Sequence, residues 1–262
     1  MTPEAPEEAK AAAAEPGLAE LREALCRRDR FLAIVTHELR NALTPVVSIV
    51  DYLNVSLHRE GGVAPAQTAA MVGQLSQAMH RYLRRTEVLL EASRLLAGGA
   101  YRPMPSTFDL SALVRDAIGL SRAAAALVGS PIRPDVEPDV VVTADRTAIE
   151  IVVDNLLSNA VKYGAGRPIT VTLRRAATAA GGSVRIAVRD EGIGIAAADQ
   201  ARIFEPFQRA AGATATGFGI GLWVARGIVQ ACGGELAVER SAPGRGSSFA
   251  VTLPLCVSPE VK

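Results

Sequence analysis

The sequence predicts two domains: an all-α antiparallel helical hairpin that forms a dimeric four-helix bundle, followed by an α+β sandwich. Apolar residues recur at alternating steps of three and four as far as Gly99, which is typical of long amphipathic helices. Beyond Tyr101, helices and short strands are mixed without strict alternation, which favours an α+β sandwich over a doubly wound sheet. The chain has 262 residues, 49% of them hydrophobic, which suffices for two small domains with cores of their own.

Composition and charge exclude several classes of protein. The 28 Lys and Arg residues nearly cancel the 27 Asp and Glu residues, and a net charge of +1 argues against a protein that coats nucleic acid or an anionic membrane. Aromatic residues make up 4% of the chain, which disfavours a base-stacking platform. The apolar content also excludes disorder along the whole length. We therefore expect no nucleic-acid partner.

Cysteine usage and hydropathy indicate a reducing compartment. Cys26, Cys232 and Cys256 lie far apart and form no Cys-x-x-Cys pair, so they predict neither a zinc site nor a disulfide framework. The longest uncharged segment, 61–80, is too polar to span a bilayer, and no stretch resembles a signal peptide. The sequence therefore predicts a cytoplasmic protein with no membrane span in this chain.

The first domain is predicted over residues 18–99. Residues 1–17 have no apolar periodicity, and we expect a disordered tail there. A heptad-like stripe predicts one long helix from residue 18 to a break at 60–62, and a second stripe predicts another helix that glycines end at 98–99. The two stripes consist of Leu18, Leu21, Leu25, Leu32, Val35, Leu39, Ala42, Val46, Ile49 and Leu53, and of Val72, Leu75, Met79, Tyr82, Thr86, Leu89, Ser93 and Leu96.

Two such helices joined by a short loop form an antiparallel hairpin. Each apolar stripe is too long for one partner helix to cover, so two hairpins that pair as a four-helix bundle are the expected arrangement. The sequence therefore predicts a homodimer.

The second domain is predicted over residues 100–257, with a short tail at 258–262. Leu110–Ala126 is predicted to be a helix, and Asp145 is expected to cap another helix that runs to Tyr163. A third helix is predicted at Trp223–Cys232. Predicted strands cover Val140–Val142, positions 169–173 and 184–188 with a turn at Gly181-Gly182, Glu235–Glu239, and Ser248–Leu253.

The first helix carries a histidine with polar neighbours. With the apolar stripe facing the seam, His37 points outward, and Asn41, four residues on, shares its face. Glu38 follows directly, and a carboxylate beside an imidazole can hydrogen-bond one ring nitrogen and make the other more nucleophilic. Pro45 lacks an N–H and predicts a bend just past His37. A lone exposed histidine on a helix is ordinary, so this segment gains meaning only from the motifs that follow.

The predicted helix that ends at Tyr163 has one polar face. Asn155, Asn159, Lys162 and Tyr163 follow one another at spacings that place them on the same side. Lysine is rare in this chain, so an interior lysine on this face favours an anion site over a solvated surface. Asparagine carbonyl oxygens suit Mg²⁺, which also binds substrate phosphates.

Glycine-rich segments follow in order along the chain. Asp190 comes directly after a predicted strand and opens Asp-Glu-Gly-Ile-Gly, where Gly192 and Gly194 allow a tight turn. The segment 217–222, Gly-Phe-Gly-Ile-Gly-Leu, opens a predicted helix and presents backbone N–H groups to a phosphate. Between them, residues 203–209 place two aromatic side chains around a proline before an arginine, next to a small-residue lid at 210–216. Each motif alone is weak evidence, but their order within one stretch is strong.

The ordered motifs resemble those of the sensor histidine kinases of bacterial two-component systems, over roughly residues 28–255. Residues 37–41, His-Glu-Leu-Arg-Asn, are similar to the family's H box, and residues 155–163 to its N box. Residues 190–194, 204–207 and 217–221 are similar to the G1, F and G2 boxes. Gly246-Ser-Ser-Phe249 resembles the family's closing Gly-Thr-x-Phe strand, with serine in place of threonine.

The resemblance implies a HisKA-type dimerisation and phosphoacceptor hairpin, followed by a Bergerat-type, GHKL-type ATP-binding sandwich. It implies an ATP-dependent protein-histidine kinase that phosphorylates its own His37, with Glu38 as the neighbouring base, and passes the phosphoryl group to an aspartate of a response regulator receiver domain. Asn41 matches the position that the family uses to dephosphorylate this partner, so phosphatase activity is a hypothesis.

The resemblance also implies roles in binding ATP and Mg²⁺. Asn159 would hold Mg²⁺ with support from Asn155, and Asp190 would bind the adenine amino group. Lys162 and Arg209 would contact the phosphates, whereas Tyr163 would line the nucleotide pocket. The full set of implied nucleotide-binding residues is Asn155, Asn159, Lys162, Tyr163, Asp190, Gly192, Gly194, Phe204, Phe207, Arg209, Gly217, Gly219, Gly221, Leu222 and Ser247.

The chain departs from the family pattern in three respects. The family often has proline at the position of Ala42, whereas here the proline is Pro45, so the bend is expected to be displaced. The lid before Gly217 is short. No sensor domain precedes Leu18, so we expect the input to come from a separate sensor protein or from an upstream part of a longer chain.

Three alternatives stay open from the sequence. A kinase-inactive phosphatase or docking scaffold of the same fold would bind ATP without incorporating its phosphate. A protein-serine kinase with the same ATP-binding fold would not need the histidine hairpin. An ATP-driven conformational clamp would hydrolyse ATP without forming a phosphoprotein.

Overall fold

The computed structural model describes residues 5–58, 65–178, 181–208, 210 and 219–255. The chain divides into two compact units, Met1–Leu89 and Leu90–Lys262. This division falls inside the second predicted helix rather than at residue 99. The reason is that the end of this helix packs with the second unit: a Cβ atom placed on Gly227 would lie 3.0 Å from Cδ1 of Leu95. The functional boundaries at 18–99 and 100–257 stay predictions.

Two long helices make up the described part of the first unit. They are α1, Ala5–Leu57, and α2, Pro65–Leu96, which continues into the second unit. Helix α1 begins at Ala5, within residues 1–17, where we expect a disordered tail; that tail stays a prediction. This segment is rich in alanine, the residue with the highest helix propensity. Helix α1 is continuous through Pro45, the residue from which we predict a bend just past His37.

Other predictions about the ends of the domains are not tested by these elements. The break at residues 60–62 and the tail at 258–262 lie outside the described residues. The packing of α1 and α2 as an antiparallel hairpin stays a prediction. Among the described residues, we find no helix that is both long and apolar enough to cross a bilayer.

The second unit alternates irregularly between strands and helices. Its described elements are β1 (Ser106–Asp109), α3 (Leu110–Leu127), β2 (Ile132–Val136), β3 (Val141–Ala144), α4 (Arg146–Tyr163), β4 (Ile169–Thr178), β5 (Gly181–Asp190), two short 3₁₀ turns (Ala197–Asp199 and Arg202–Phe204), α5 (Gly221–Ala231), β6 (Glu235–Ser241) and β7 (Ser247–Pro254).

The strands form two sheets. Strands β1 and β3 pair antiparallel, and the larger sheet has the order β2-β4-β5-β7-β6. Within it, β2 and β4 are parallel and the other neighbours are antiparallel. Helices α3, α4 and α5 pack beside one another, and α4 and α5 contact β5 and β6. The predicted α+β sandwich is therefore confirmed.

The core lies between the helices and one face of the large sheet. Alternate residues of β4 and β5 enter it, because successive side chains of a strand point to opposite faces. Two aspartates begin the helices that cover this face: Asp109 accepts a hydrogen bond from the N–H of Ala112, and Asp145 accepts one from the N–H of Ala148. The largest fully buried side chains include Leu110, Leu113, Ile118, Ile149, Leu156, Leu157, Ile169, Leu173, Ile186, Ile228 and Leu253.

Some predicted elements of the second unit are wrong in detail. Gly181 and Gly182 lie in β5, where Gly181 pairs with Thr178, so the turn between β4 and β5 falls before them. Helix α5 begins at Gly221 rather than at Trp223. Strands β1 and β2 have no counterpart in the prediction, because each is short and β2 contains Pro134. A proline is tolerated there since β2 is an edge strand.

Candidate functional site

Helix α4 presents the polar face that the sequence predicts. Asn155, Asn159 and Tyr163 are half-buried on this helix, and Lys162 is exposed. The other side of the helix is in the core, through Ile149, Val152, Val153, Leu156 and Leu157. The amides, the cation and the phenol therefore stand at the boundary between the core and solvent, where a ligand can reach them.

The beginning of α5 lies against the Asn155 side chain. Asn155 Nδ2 donates to the carbonyl oxygen of Ile151 at 3.0 Å, and a Cβ atom on Gly221 would lie 2.5 Å from Asn155 Oδ1. Only glycine at position 221 allows the helix to come this close without displacing the side-chain amide of Asn155. No side chain caps the first turn of α5, so its N–H groups are not occupied by a capping residue. The structure thus brings the predicted phosphate-binding helix end beside the polar face of α4.

The turn after β5 contacts the end of α4. The N–H of Ile193 donates to the carbonyl oxygen of Tyr163 at 3.1 Å. A Cβ atom on Gly192 would lie 1.8 Å from the same carbonyl oxygen, which explains why this position is glycine. Gly194 has a φ of +68° and its Cα faces the carbonyl oxygen of Ala242. The glycines therefore allow close approach to the protein's own backbone.

Asp190 ends β5 with a buried carboxylate. One of its oxygens, Oδ1, accepts from the N–H of Gly192 at 2.8 Å, and the backbone of Ser247 on the neighbouring strand also hydrogen-bonds the carboxylate. Burial raises the pKa of Asp190 above its ordinary value, and these N–H donors oppose that rise. The carboxylate is thus an acceptor held in place from two sides.

The hairpin between β6 and β7 forms hydrogen bonds with the turn that follows Asp190. The N–H of Gly246 donates to the carbonyl oxygen of Gly192 at 3.0 Å, and the N–H of Gly244 donates to that of Ile193 at 2.7 Å. Ser241 Oγ accepts from the N–H of Ile195 at 2.8 Å. A segment about fifty residues later in the sequence therefore sets the conformation of the turn that follows Asp190.

The aromatic segment, residues 203–209, lies partly in the core and partly at the site. Phe204 is buried, meets the ring of Phe249 edge-on with centroids 6.4 Å apart, and lies under the guanidinium of Arg226. Phe204 therefore packs in the core, and its predicted nucleotide contact stays a prediction. Phe207 has a φ of +66°, and its N–H donates to the carbonyl oxygen of Gly219 at 3.0 Å. This hydrogen bond joins residues 204–207 to the glycine-rich segment that precedes α5.

Several predicted site residues lie outside the described residues. These are Arg209, Gly217, most of the lid at 210–216, and the side chain of Glu38. Leu222 is half-buried in the first turn of α5, and Ser247 is buried at the start of β7.

The polar face of α4 fits a Mg²⁺ ion that is held mainly by a substrate. Asn159 is half-buried, and we find no hydrogen bond to its side chain within the described part of the chain. No cluster of three or more Asp, Glu, His or Cys side chains suited to a metal occurs among the described residues. Mg²⁺ commonly takes one or two protein oxygens and completes its shell with phosphates and water. One amide oxygen on this face matches that requirement.

His37 is exposed on α1 and contacts the predicted neighbour. Asn41 Nδ2 lies 2.9 Å from His37 Nδ1, one helical turn away. This contact occupies Nδ1 of the imidazole. The predicted sharing of one helix face by His37 and Asn41 is confirmed.

Sequence reasoning missed three side chains around the site. Tyr101 Oη donates to Asp145 Oδ2 at 2.9 Å, Ser241 bonds the turn after Asp190, and Gln200 Nε2 bonds the carbonyl oxygen of Ser241 at 3.0 Å. Their signal in the sequence is weak, because single polar residues near turns are common and their partners lie far along the chain.

Comparison with known proteins finds similar chains that are named histidine kinases. The family described as histidine kinase-, DNA gyrase B- and HSP90-like ATPase matches residues 144–257. The histidine protein kinase DivJ of Caulobacter vibrioides is 32% identical over 242 residues, which cover 89% of this chain and 38% of the relative. The sensor-like histidine kinase SenX3 of Mycobacterium tuberculosis is 33% identical over 247 residues, covering 88% of this chain and 54% of the relative. The chain thus spans from about two fifths to about half of these relatives' length.

A solved structure has a similar fold over most of the chain. Full-length ShkA, solved in complex with AMPPNP, superposes with a TM-score of 0.57 at 26% identity and covers 87% of this chain and 46% of ShkA. The matches extend beyond the ATPase region and include the segment around His37. Taken with the joined N, G1, F and G2 segments, they show that the chain is similar to sensor histidine kinases over most of its length.

Proposed function

We propose that this chain is an ATP-dependent protein-histidine kinase that phosphorylates His37 and passes the phosphoryl group to an aspartate of a response regulator receiver domain. The observation that carries the proposal is the meeting of four separate segments around α4. Asn155 lies against Gly221, Gly192 against Tyr163, Phe207 bonds Gly219, and Asp190 bonds the strand at Ser247. A surface without function has no need for these contacts to converge.

Each part of the site has a role in binding ATP. Asp190 accepts a hydrogen bond from the adenine amino group, and the N–H groups at the start of α5 face the phosphates. Lys162, on the same face of α4 as Asn155, adds positive charge to the site. Asn159 would hold Mg²⁺, which would supply further charge neutralisation to the phosphates. Phosphoryl transfer requires of the protein mainly that it position the ATP and neutralise the charge of its phosphates.

The chemistry on His37 follows from its hydrogen bond. With Asn41 Nδ2 donating to Nδ1, the neutral ring carries its proton on Nε2. A base removes this proton and so gives Nε2 a free lone pair; Nε2 then attacks the γ-phosphorus, the N–P bond forms, and the bond to the leaving ADP oxygen breaks. Glu38 is the proposed proton acceptor because of its position beside His37. In the second reaction the phosphoryl group moves from Nε2 to the aspartate, and the imidazole is restored.

We also propose that the helices form a dimeric four-helix bundle of two hairpins. Helix α1 exposes Leu43, Val47 and Val50, which recur at steps of four and three, while Val46 is buried in the single chain. A helix with one apolar stripe covered and a second one exposed is typical of a bundle that is incomplete in one chain. A second copy of the hairpin would cover the exposed stripe.

Phosphatase activity toward the receiver domain is a second candidate function. The hydrogen bond between Asn41 and His37 favours it, because the amide is held beside the imidazole ring that exchanges the phosphoryl group. We expect Asn41→Ala to slow dephosphorylation of a labelled receiver domain more than it slows phosphorylation of His37. Equal effects on the two rates would remove this candidate.

The kinase proposal is tested by labelling with γ-labelled ATP and Mg²⁺. We expect label on the protein that survives alkali and is lost in acid, since an N–P bond is acid-labile. His37→Gln should abolish it. His58→Gln is the matched control, because His58 is also exposed, directly after the end of α1, and its Nδ1 bonds the carbonyl oxygen of Asn54 at 2.7 Å. Label that resists acid would favour a serine kinase, and ATP binding without label would favour the scaffold.

A further inference from the structure

Three polar side chains form a row across strands β5, β7 and β6. Asp190 is the register partner of Ser247, and Ser247 is the register partner of Ser241. Directly opposed residues on neighbouring strands place their side chains on the same face. All three therefore lie on the face of the sheet that carries Val188, which is the face covered by α4 and α5.

The hydroxyl of Ser241 has three contacts that use its whole bonding capacity. It lies 2.8 Å from the N–H of Ile195, 3.1 Å from the carbonyl oxygen of Gly246 and 2.9 Å from Ser247 Oγ. A hydroxyl has one proton to donate and two lone pairs. The N–H can only donate and the carbonyl can only accept. Ser241 therefore gives its proton to Gly246 and accepts from Ile195, which leaves it only an acceptor for Ser247.

The direction of the Ser247 hydroxyl follows from this assignment. Ser247 donates its single proton to Ser241, so only lone pairs remain for any other contact. Next to it, Asp190 offers carboxylate lone pairs and already accepts from the N–H of Gly192. Two acceptors thus stand side by side at this end of the sheet. Such a pair attracts an exocyclic amine, as in adenine, and repels a carbonyl oxygen, as in guanine.

We propose that Ser241 is a specificity-determining positioning residue that selects adenine over guanine nucleotides by fixing the hydroxyl direction of Ser247. The inference deepens the proposed function and rests on it. Ser241 itself touches no nucleotide in this scheme. Its position is fixed by its neighbours, since Gln200 Nε2 bonds the carbonyl oxygens of both Ser241 and Ile195, at 3.0 and 3.2 Å.

Substitution of Ser241 by alanine tests the inference in the full chain. Without the Ser241 oxygen, the Ser247 hydroxyl is free to turn and donate to a guanine carbonyl. Calorimetric titration with Mg²⁺ and the imido analogues of ATP and GTP should give affinity for the ATP analogue about fivefold lower in Ser241→Ala, with the ATP-to-GTP affinity ratio reduced about tenfold. Ser241→Thr, which keeps the hydroxyl, should restore the ratio.

Two further variants separate selectivity from folding. Ser111 is the matched control, because its buried hydroxyl also accepts from an N–H, that of Val140, and donates to a carbonyl, that of Glu137. Ser111→Ala should lower thermal stability similarly and leave the affinity ratio unchanged. In a Ser247→Ala background, Ser241→Ala should no longer change the ratio.

The outcomes of this experiment distinguish the inference from the function on which it rests. A wild-type chain that binds neither analogue overturns the proposed function and the inference with it. A wild-type chain that binds the ATP analogue, with an unchanged affinity ratio in Ser241→Ala or equal losses for both analogues, overturns the role of Ser241 alone.

Discussion

The carboxylate of Asp190 is buried although it bears a charge that the proposed function needs. Burial disfavours the ionised form and raises its pKa, while three backbone N–H groups, those of Gly192, Ser247 and Asp190 itself, stabilise the charge in part. An acceptor already aligned by these donors binds an amine without having to reorganise. The site therefore keeps a group that costs stability in the absence of ligand, as functional sites commonly do.

Replacement of Asp190 by asparagine should separate binding from stability. Loss of the charged acceptor should weaken ATP binding about tenfold or more, measured by calorimetry. The folded pKa is above the unfolded value, so ionisation lowers the wild-type stability as pH rises through the raised pKa. The unfolding free energy of Asp190→Asn minus that of wild type should therefore increase with pH in urea melts. A difference that stays constant with pH would contradict the assigned burial cost.

At the scale of elements, α4 depends on a capping residue that also anchors the linker after α2. Asp145 is buried and accepts from the N–H groups of Ala148 and Met104 and from the hydroxyl of Tyr101, at 3.1, 2.8 and 2.9 Å. The linker and the helix that carries the site asparagines thus share one carboxylate. The end of α2 adds the contact between Leu95 and Gly227.

Removal of the Tyr101 hydroxyl should destabilise the second unit by a measurable amount. We expect Tyr101→Phe to lower the unfolding free energy by about 1 kcal/mol, the usual net value of one hydrogen bond. Burial, followed by the bond to Asp145, raises the pKa of Tyr101 above its ordinary value of 10.0. The unfolded tyrosine therefore ionises first, and the advantage of wild type over Tyr101→Phe should shrink as pH rises above 10. Urea melts at pH 8 and at higher pH measure both effects. If the difference in unfolding free energy between wild type and Tyr101→Phe grows as the pH rises, the raised pKa of Tyr101 is refuted.

The turn between Asp190 and Gly194 should tolerate no Cβ atom at its centre. In Gly192→Ala, the added carbon would lie 1.8 Å from the carbonyl oxygen of Tyr163, so the backbone has to move. We expect loss of ATP binding and a lower melting temperature. Gly119→Ala is the matched control: no atom lies within 4 Å of the added carbon, and alanine in a helix should stabilise by about 0.5–1 kcal/mol. ATP affinity that survives in Gly192→Ala would exclude this turn from the site.

At the scale of the whole molecule, the first unit exposes apolar surface that the second unit does not show to the same degree. Leu43, Val47 and Val50 are exposed on α1, and Val72, Met79 and Leu83 on α2. Such a surface is costly in water and is usually covered by a partner. The proposed bundle accounts for it with a second copy of the same chain, because a symmetric pairing can cover the stripes of both hairpins.

Charge placed on this stripe should convert the dimer to a monomer. In Val47→Glu/Val50→Glu, two carboxylates would be buried without partners in the proposed bundle, which disfavours association strongly. Sedimentation equilibrium should report a single-chain mass, while thermal stabilisation by ATP persists. Ser48→Glu is the control, since Ser48 is exposed beside the stripe and its replacement should leave the dimer intact. A dimeric double variant would rule out this surface as the interface.

The sequence predicted best those elements that have a strong apolar periodicity or a capping residue. The Asp145 cap and the helix to Tyr163 follow from local chemistry, and so does the shared face of His37 and Asn41. The short strands β1 and β2 are formed by pairing with distant partners, so no local pattern marks them. Phe204 matched a motif in the sequence, but its burial against Phe249 depends on a strand that comes much later.

The sequence by itself determined the order of the motifs and the residues on each helix face, because periodicity, caps and glycine spacing act over a few neighbouring positions. Only the tertiary structure decided which segments meet: Gly192 against Tyr163, Gly221 against Asn155, and Ser241 behind Ser247. The physical reason is that hydrogen bonds and close backbone approaches between distant segments depend on strand register and helix packing. Both are fixed only when the whole core forms.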